Sequence, residues 1–112
     1  MKSLKQICEK LEPHYKDLID GYKYHGETYE DSLSYEFFEK IMMKDGFILS
    51  DKTIIQKWKL LKSNNIIRMV GPGKALINGA ELAKALDYTS YVEVKKIKKN
   101  FLETADTQEV DA

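Results

Sequence analysis

Between Asp51 and Lys74 the chain sets Lys52, Lys57, Lys59, Lys62, Arg68 and Lys74 against one acid, Asp51, a local balance of 6 − 1 = +5. Thr53 and Gln56 stand among these cations. Ammonium and guanidinium groups gathered at this density suit a polyanion, and five neutralised phosphates give a log–log salt slope near about −4.5. If the first part of the stretch is helical, a turn of ~100° per residue brings Lys52, Gln56 and Lys59 onto one strip. Lysines on a helix also solvate an amphipathic face with no partner at all. Charge alone favours that plainer reading, so the surrounding elements have to decide.

Net charge over all 112 residues is zero, and the sum hides a partition. Residues 1–49 carry 7 Lys against 10 Asp plus Glu, or −3. Residues 50–100 carry 11 bases against 4 acids, or +7, and residues 101–112 carry 4 acids and no base. A basic working surface and a separate acidic tail are expected. Other chemistries find little support. His14 and His25 lack a second ligand at metal-site spacing, and no nucleophile triad, paired acids or phosphate loop is present. "GPGK" has neither the length nor the Ser/Thr of such a loop. No enzyme activity, metal or cofactor is expected. The lone Cys8 falls at an apolar helical position and reads as a small buried hydrophobe in a reducing, cytoplasmic setting. No apolar run approaches the ~20 residues of a membrane span.

Length predicts one domain over 1–103, with a disordered acidic tail over 104–112. Leu4, Ile7, Cys8, Leu11, Tyr15, Leu18, Ile19 and Tyr22 recur at steps of three and four, predicting helix over 3–24 with Ser3 and Gln6 as its capping box. Pro13 requires either a kink or a second helix beginning at that point. Residues 24–31 read as loop. "SYEFFEKIMMKDG" predicts a helix capped by Ser34, with Phe37, Phe38, Ile41 and Met42 inward. "SDKTIIQKWKLLKSNN" predicts another, capped by Ser50, with Ile54, Trp58 and Leu61 buried and Asn64-Asn65 as its stop. Ile66–Val70 and Ala75–Asn78 are short strand candidates around the turn Gly71-Pro72-Gly73-Lys74. "AELAKAL" reads as a short helix. Ser90 with Glu93 opens a last one through about Phe101, with Val94, Ile97 and Phe101 on one side.

The expected fold is therefore mainly α with a small β-hairpin, and residues 34–78 resemble a winged helix-turn-helix domain. "SYEFFEKIMMKDG" matches its scaffold helix, "SDKTIIQKWKLLKSNN" its recognition helix over 50–63, and "IIRMVGPGKALIN" its wing over 66–78. Asn65 stands where that family places glycine. The flanking helices at 3–24 and 90–101 are additional. The resemblance implies a sequence-specific binder of double-stranded DNA, acting as a transcription regulator. The N-terminal half of the recognition helix would enter the major groove, making Lys52, Thr53, Gln56 and Lys57 candidates for base contact. Glutamine pairs with adenine's two edge atoms, and lysine serves guanine or phosphate. Lys59, Lys62, Arg68 and Lys74 would hold phosphates, and the glycine-lined wing tip would lie on the backbone or minor groove.

Tyr15, Leu18 and Tyr22 at one end, with Val94, Ile97 and Phe101 at the other, either pack within the chain or form a two-fold homodimer interface, as in regulators of palindromic sites. Lys95–Lys99 either supplement DNA binding or solvate their helix. A different class of function also fits: a non-catalytic module that docks another protein on the same scaffold.

Overall fold

The computed structural model describes residues 2–94. The expectations for Ile97, Phe101, Lys95–Lys99 and the acidic tail lie outside that range. The chain begins with α1 (Leu4–Leu11), where Ser3 Oγ accepts from the Gln6 N–H at 3.2 Å and Gln6 Oε1 accepts from the Ser3 N–H at 2.8 Å. Pro13 falls in a 3-10 turn, Glu12–His14, and Tyr15 leaves helical geometry at φ −131. The break gives two helices, and α2 (Lys16–His25) restarts three residues downstream of the proline. Gly26 ends it at φ +67, the left-handed conformation that costs a glycine nothing.

The predicted loop over 24–31 is corrected at its end, where residues 30–34 form β1 (Glu30–Ser34). Its sequence, EDSLS, has little strand propensity; pairing with a later strand imposes the conformation. α3 (Tyr35–Met43) follows at once, its first turn capped by Ser34 Oγ accepting from Phe37 N–H. Phe38, Ile41 and Met42 face the core as predicted, whereas Phe37 is 39% exposed. Neighbouring helix positions point ~100° apart, so only one of the two phenylalanines can centre on the buried face. Ser50 caps α4 (Asp51–Ser63), and Asn65 takes φ +61 to turn the chain out of it.

β2 (Ile67–Gly71) and β3 (Lys74–Asn78) form the hairpin across Pro72-Gly73, with Gly73 at φ +65. α5 (Gly79–Ala85) starts on the Asn78 cap. Residues 91–94 open a further helical turn, in which Ser90 Oγ accepts from Val92 N–H. The molecule is mainly helical, with one three-stranded antiparallel sheet in the order β1-β3-β2. β3 pairs along its length with β1, from Glu30↔Asn78 to Ser34↔Lys74, and on its other edge with β2 from Ile67↔Ile77 onward. A bulge between Met69 and Gly71 displaces Val70. An isolated two-stranded hairpin is marginal in water; the third strand and the helices beneath it remove that weakness.

One core joins every element. Ile7, Leu11, Ile19, Phe38, Met42, Ile54, Leu61, Ile77 and Leu82 are among its fully buried members. Tyr15 and Tyr22 are buried in it, so the N-terminal stripe is occupied within the chain. Cys8 is fully buried there too; burial first, and the Glu9 charge second, push its thiol up to about 12. A thiol held neutral in this way behaves as the small apolar side chain the sequence suggested. Among the described residues no helix is long and apolar enough to cross a membrane.

Candidate nucleic-acid interface

α4 carries its apolar stripe inward as its spacing requires. Ile54 and Leu61 are fully buried and Trp58 is 8% exposed. The Trp58 ring stands edge-on to Tyr35 (5.3 Å, 90°) and tilted against Phe38 (5.3 Å, 54°). The opposite face leaves Lys52, Gln56, Lys59 and Lys62 exposed, with Thr53 half-buried at the margin. Lys52, Gln56 and Lys59 therefore do share an open strip.

Lys57 does not join them. It is 7% exposed, against the expectation of an outward, base-contacting side chain. The reason lies in helical phase: Lys57 comes three residues after Ile54 and four before Leu61, which places it on their side of the helix. Among the described residues no side-chain nitrogen or oxygen is sealed from both water and a hydrogen-bond partner. The Lys57 ammonium thus ends a buried stem without being stranded, as long basic side chains commonly arrange.

Arg68 stands on exposed β2, but its guanidinium is engaged. Nε and Nη2 donate to the two carboxylate oxygens of Glu30, at 2.8 and 3.1 Å. The fork spans β1 and β2 across β3. Hydrogen bonding from Arg68 holds the Glu30 carboxyl below its usual range, against a smaller opposing effect of desolvation. A folded-state pKa below the unfolded value of about 4.3 makes the contribution to stability present above that pH, and it is lost as pH falls through the folded pKa. Glu30→Gln should therefore flatten the acid limb of a melting-temperature profile taken between about pH 6 and pH 3. An unchanged limb in that variant would show that the fork does not persist in solution.

Lys74 begins β3 and is exposed. Among the described residues the ion pairs are Lys5–Asp87, Arg68–Glu30 and Lys84–Glu81, so Lys52, Lys59, Lys62 and Lys74 are not neutralised by a neighbour. The hairpin carrying Lys74 does not project as a free wing. Its tip is tied down, because the Tyr35 N–H donates to the Gly73 carbonyl at 2.9 Å. Tyr35 also packs on Trp58, and its phenol is raised by burial first and then by the Glu39 and Asp51 charges. One residue thus touches the hairpin tip through its backbone and reaches the middle of α4 through its ring. Helix and hairpin are neighbours, with Tyr35 as the joint. Asp51, in the first turn of α4, is an anion at the same end.

Sequence reasoning missed Glu30 as a partner for Arg68, since 38 residues separate them and only the sheet brings them together. It also passed over Ile55, which is 43% exposed on α4. A surface groove of about 590 Å³ runs beside the hairpin, lined by His14, Asp31, Phe37, Val70 and Lys74 among others. Phe37 meets the His14 ring edge-on at 5.3 Å. Among the described residues no group of three or more His, Cys, Asp or Glu is placed to hold a metal ion. No family model matches the chain, and no curated protein or solved structure is similar enough to count as a match.

Proposed function

We propose that the chain is a sequence-specific double-stranded DNA-binding protein of winged helix-turn-helix type that regulates transcription without catalysis. α4 would lie in the major groove, and the hairpin would rest on the adjacent backbone. The observation that carries this reading is the un-neutralised strip Lys52, Gln56 and Lys59 on the open face of α4, joined through Tyr35 to the hairpin that bears Lys74. A helix alone enters the groove in many orientations; a hairpin anchored beside it limits the choice. The strand β1 supports the same reading, because it gives the hairpin a fixed third strand beside α3. Lys52 and Gln56 are assigned to base edges, with Thr53 at the margin. Lys59, Lys62 and Lys74 are assigned to phosphates. Lys57 supports α4 from within and Arg68 braces the sheet through Glu30, so neither keeps a DNA contact.

The three lysines assigned to phosphates, Lys59, Lys62 and Lys74, set the salt dependence. Affinity for mixed duplex should fall with salt at a log–log slope of about −2.7, measured by fluorescence anisotropy. Removing two of the three, as Lys59→Ala with Lys62→Ala, should cut that slope to about −0.9. Lys57→Ala should leave the slope unchanged and lower the melting temperature instead. A slope that responds to Lys57→Ala and ignores the double variant would place the interface elsewhere.

A protein-docking role is the second reading, favoured by the groove beside the hairpin and by the exposure of Phe37, Val70 and, at 82%, Leu49. Failure to retain any duplex at low salt would transfer the assignment to it.

A further inference from the structure

Ile55 is an aliphatic side chain set beside the exposed lysines of α4. At ~100° per residue it falls ~60° from Lys52, ~40° from Lys59 and ~20° from Lys62 around the helix axis. It stands ~60° from Trp58, at the outer margin of the Ile54–Trp58–Leu61 stripe, and is 43% exposed. Local helix preference does not account for it, because isoleucine forms helix less readily than alanine or lysine. Scattered apolar residues on a surface require no explanation. This one is different in its location: it borders the strip assigned to the DNA, between Lys62 and Lys59 around the helix axis, where every other open position is polar.

The major groove presents donors and acceptors from all four bases, and a single apolar group, the C5 methyl of thymine. Isoleucine has no donor or acceptor to offer a base edge, and would leave a polar edge without its water. Against a methyl it removes apolar surface from water on both sides. Resting on the DNA-binding reading, we infer that Ile55 is a specificity-determining residue that packs on a thymine methyl, so the bound sequence contains a thymine required for its methyl group. Gln56, the next residue, is ~100° further round and addresses a different base position. The pair therefore reads one apolar and one hydrogen-bonding feature from adjacent parts of the groove.

The test uses the full chain and a duplex chosen from a random-sequence pool by binding. Each thymine of that duplex is replaced in turn by deoxyuridine, which lacks only the methyl. At one position the replacement should weaken binding about fourfold, the loss expected for one buried methyl-sized group. Ile55→Ala should bind the thymine and uracil duplexes equally, while keeping the wild-type salt slope and melting temperature. Ile55→Val, which retains two methyls, should still prefer thymine. Indifference of the wild-type protein to uracil at every position overturns the inference and leaves the DNA-binding reading standing. Continued discrimination by Ile55→Ala assigns the methyl to another residue and overturns it equally. Failure of the pool selection to retain any duplex at low salt overturns both.

Discussion

Gly79→Ala is expected to destabilise the protein by about 2 kcal/mol or more, although alanine is the better helix former by ~1 kcal/mol. Gly79 is the first residue of α5 and lies directly against α2. A Cβ built there would stand 2.5 Å from the Leu18 Cβ, 2.9 Å from the Leu18 carbonyl oxygen and 3.0 Å from its carbonyl carbon. Contacts with backbone atoms cannot be relieved by a rotamer change. The two helices must separate, and overpacking of this kind costs typically ~1–3 kcal/mol and on occasion more. The clash outweighs the gain in helix propensity. For a domain of this size the melting temperature should drop by about 10 °C or more. Shortening Leu18 to alanine in the same background should not restore it, because both the Cβ and the carbonyl remain. A Gly79→Ala variant as stable as the parent would mean that α2 and α5 do not pack this closely.

The second large effect belongs to Trp58. Its indole is 8% exposed and holds Tyr35 and Phe38 on two sides. Trp58→Ala removes the largest side chain of α4 and leaves a hole bordered by rings that cannot collapse into it, a loss of ~3–5 kcal/mol. Total stability for such domains is about 5–15 kcal/mol, so the variant should be largely unfolded at moderate urea. Urea titration with unchanged m value would give the loss directly. Trp58→Phe should cost much less, since it keeps an aromatic face for Tyr35. A cost below about 1 kcal/mol for Trp58→Ala would remove the basis for placing Tyr35 between helix and hairpin.

The locally encoded parts of the fold were legible. Ser3, Ser34 and Ser50 cap the helices their spacing indicated, and Asn65 adopts the left-handed angle that its type tolerates. Ile54, Trp58 and Leu61 face inward because a 3.6-residue repeat leaves them no alternative. What was not legible depends on distant partners. Glu30–Ser34 contains no β-branched or aromatic residue and becomes a strand only because β3 offers it hydrogen bonds. Arg68 looks free until the sheet brings Glu30 beside it. Lys57 is a different case. Its phase was readable from Ile54 and Leu61, but its charge suggested the surface, and helical geometry prevailed over residue type. Ile55 was passed over altogether, and its phase leaves it half-exposed at the margin between the apolar stripe and the lysines.

The bond from the Tyr35 N–H to the Gly73 carbonyl has a bearing on association. A long flexible wing loses conformational freedom each time it settles on a target, and that loss is subtracted from the contact energy. Here the loop is fastened during folding, so its ordering entropy is already spent before any encounter. Under the proposed function, a partner would meet a preset mould, and recognition would depend on fit and charge with little left to induced adjustment.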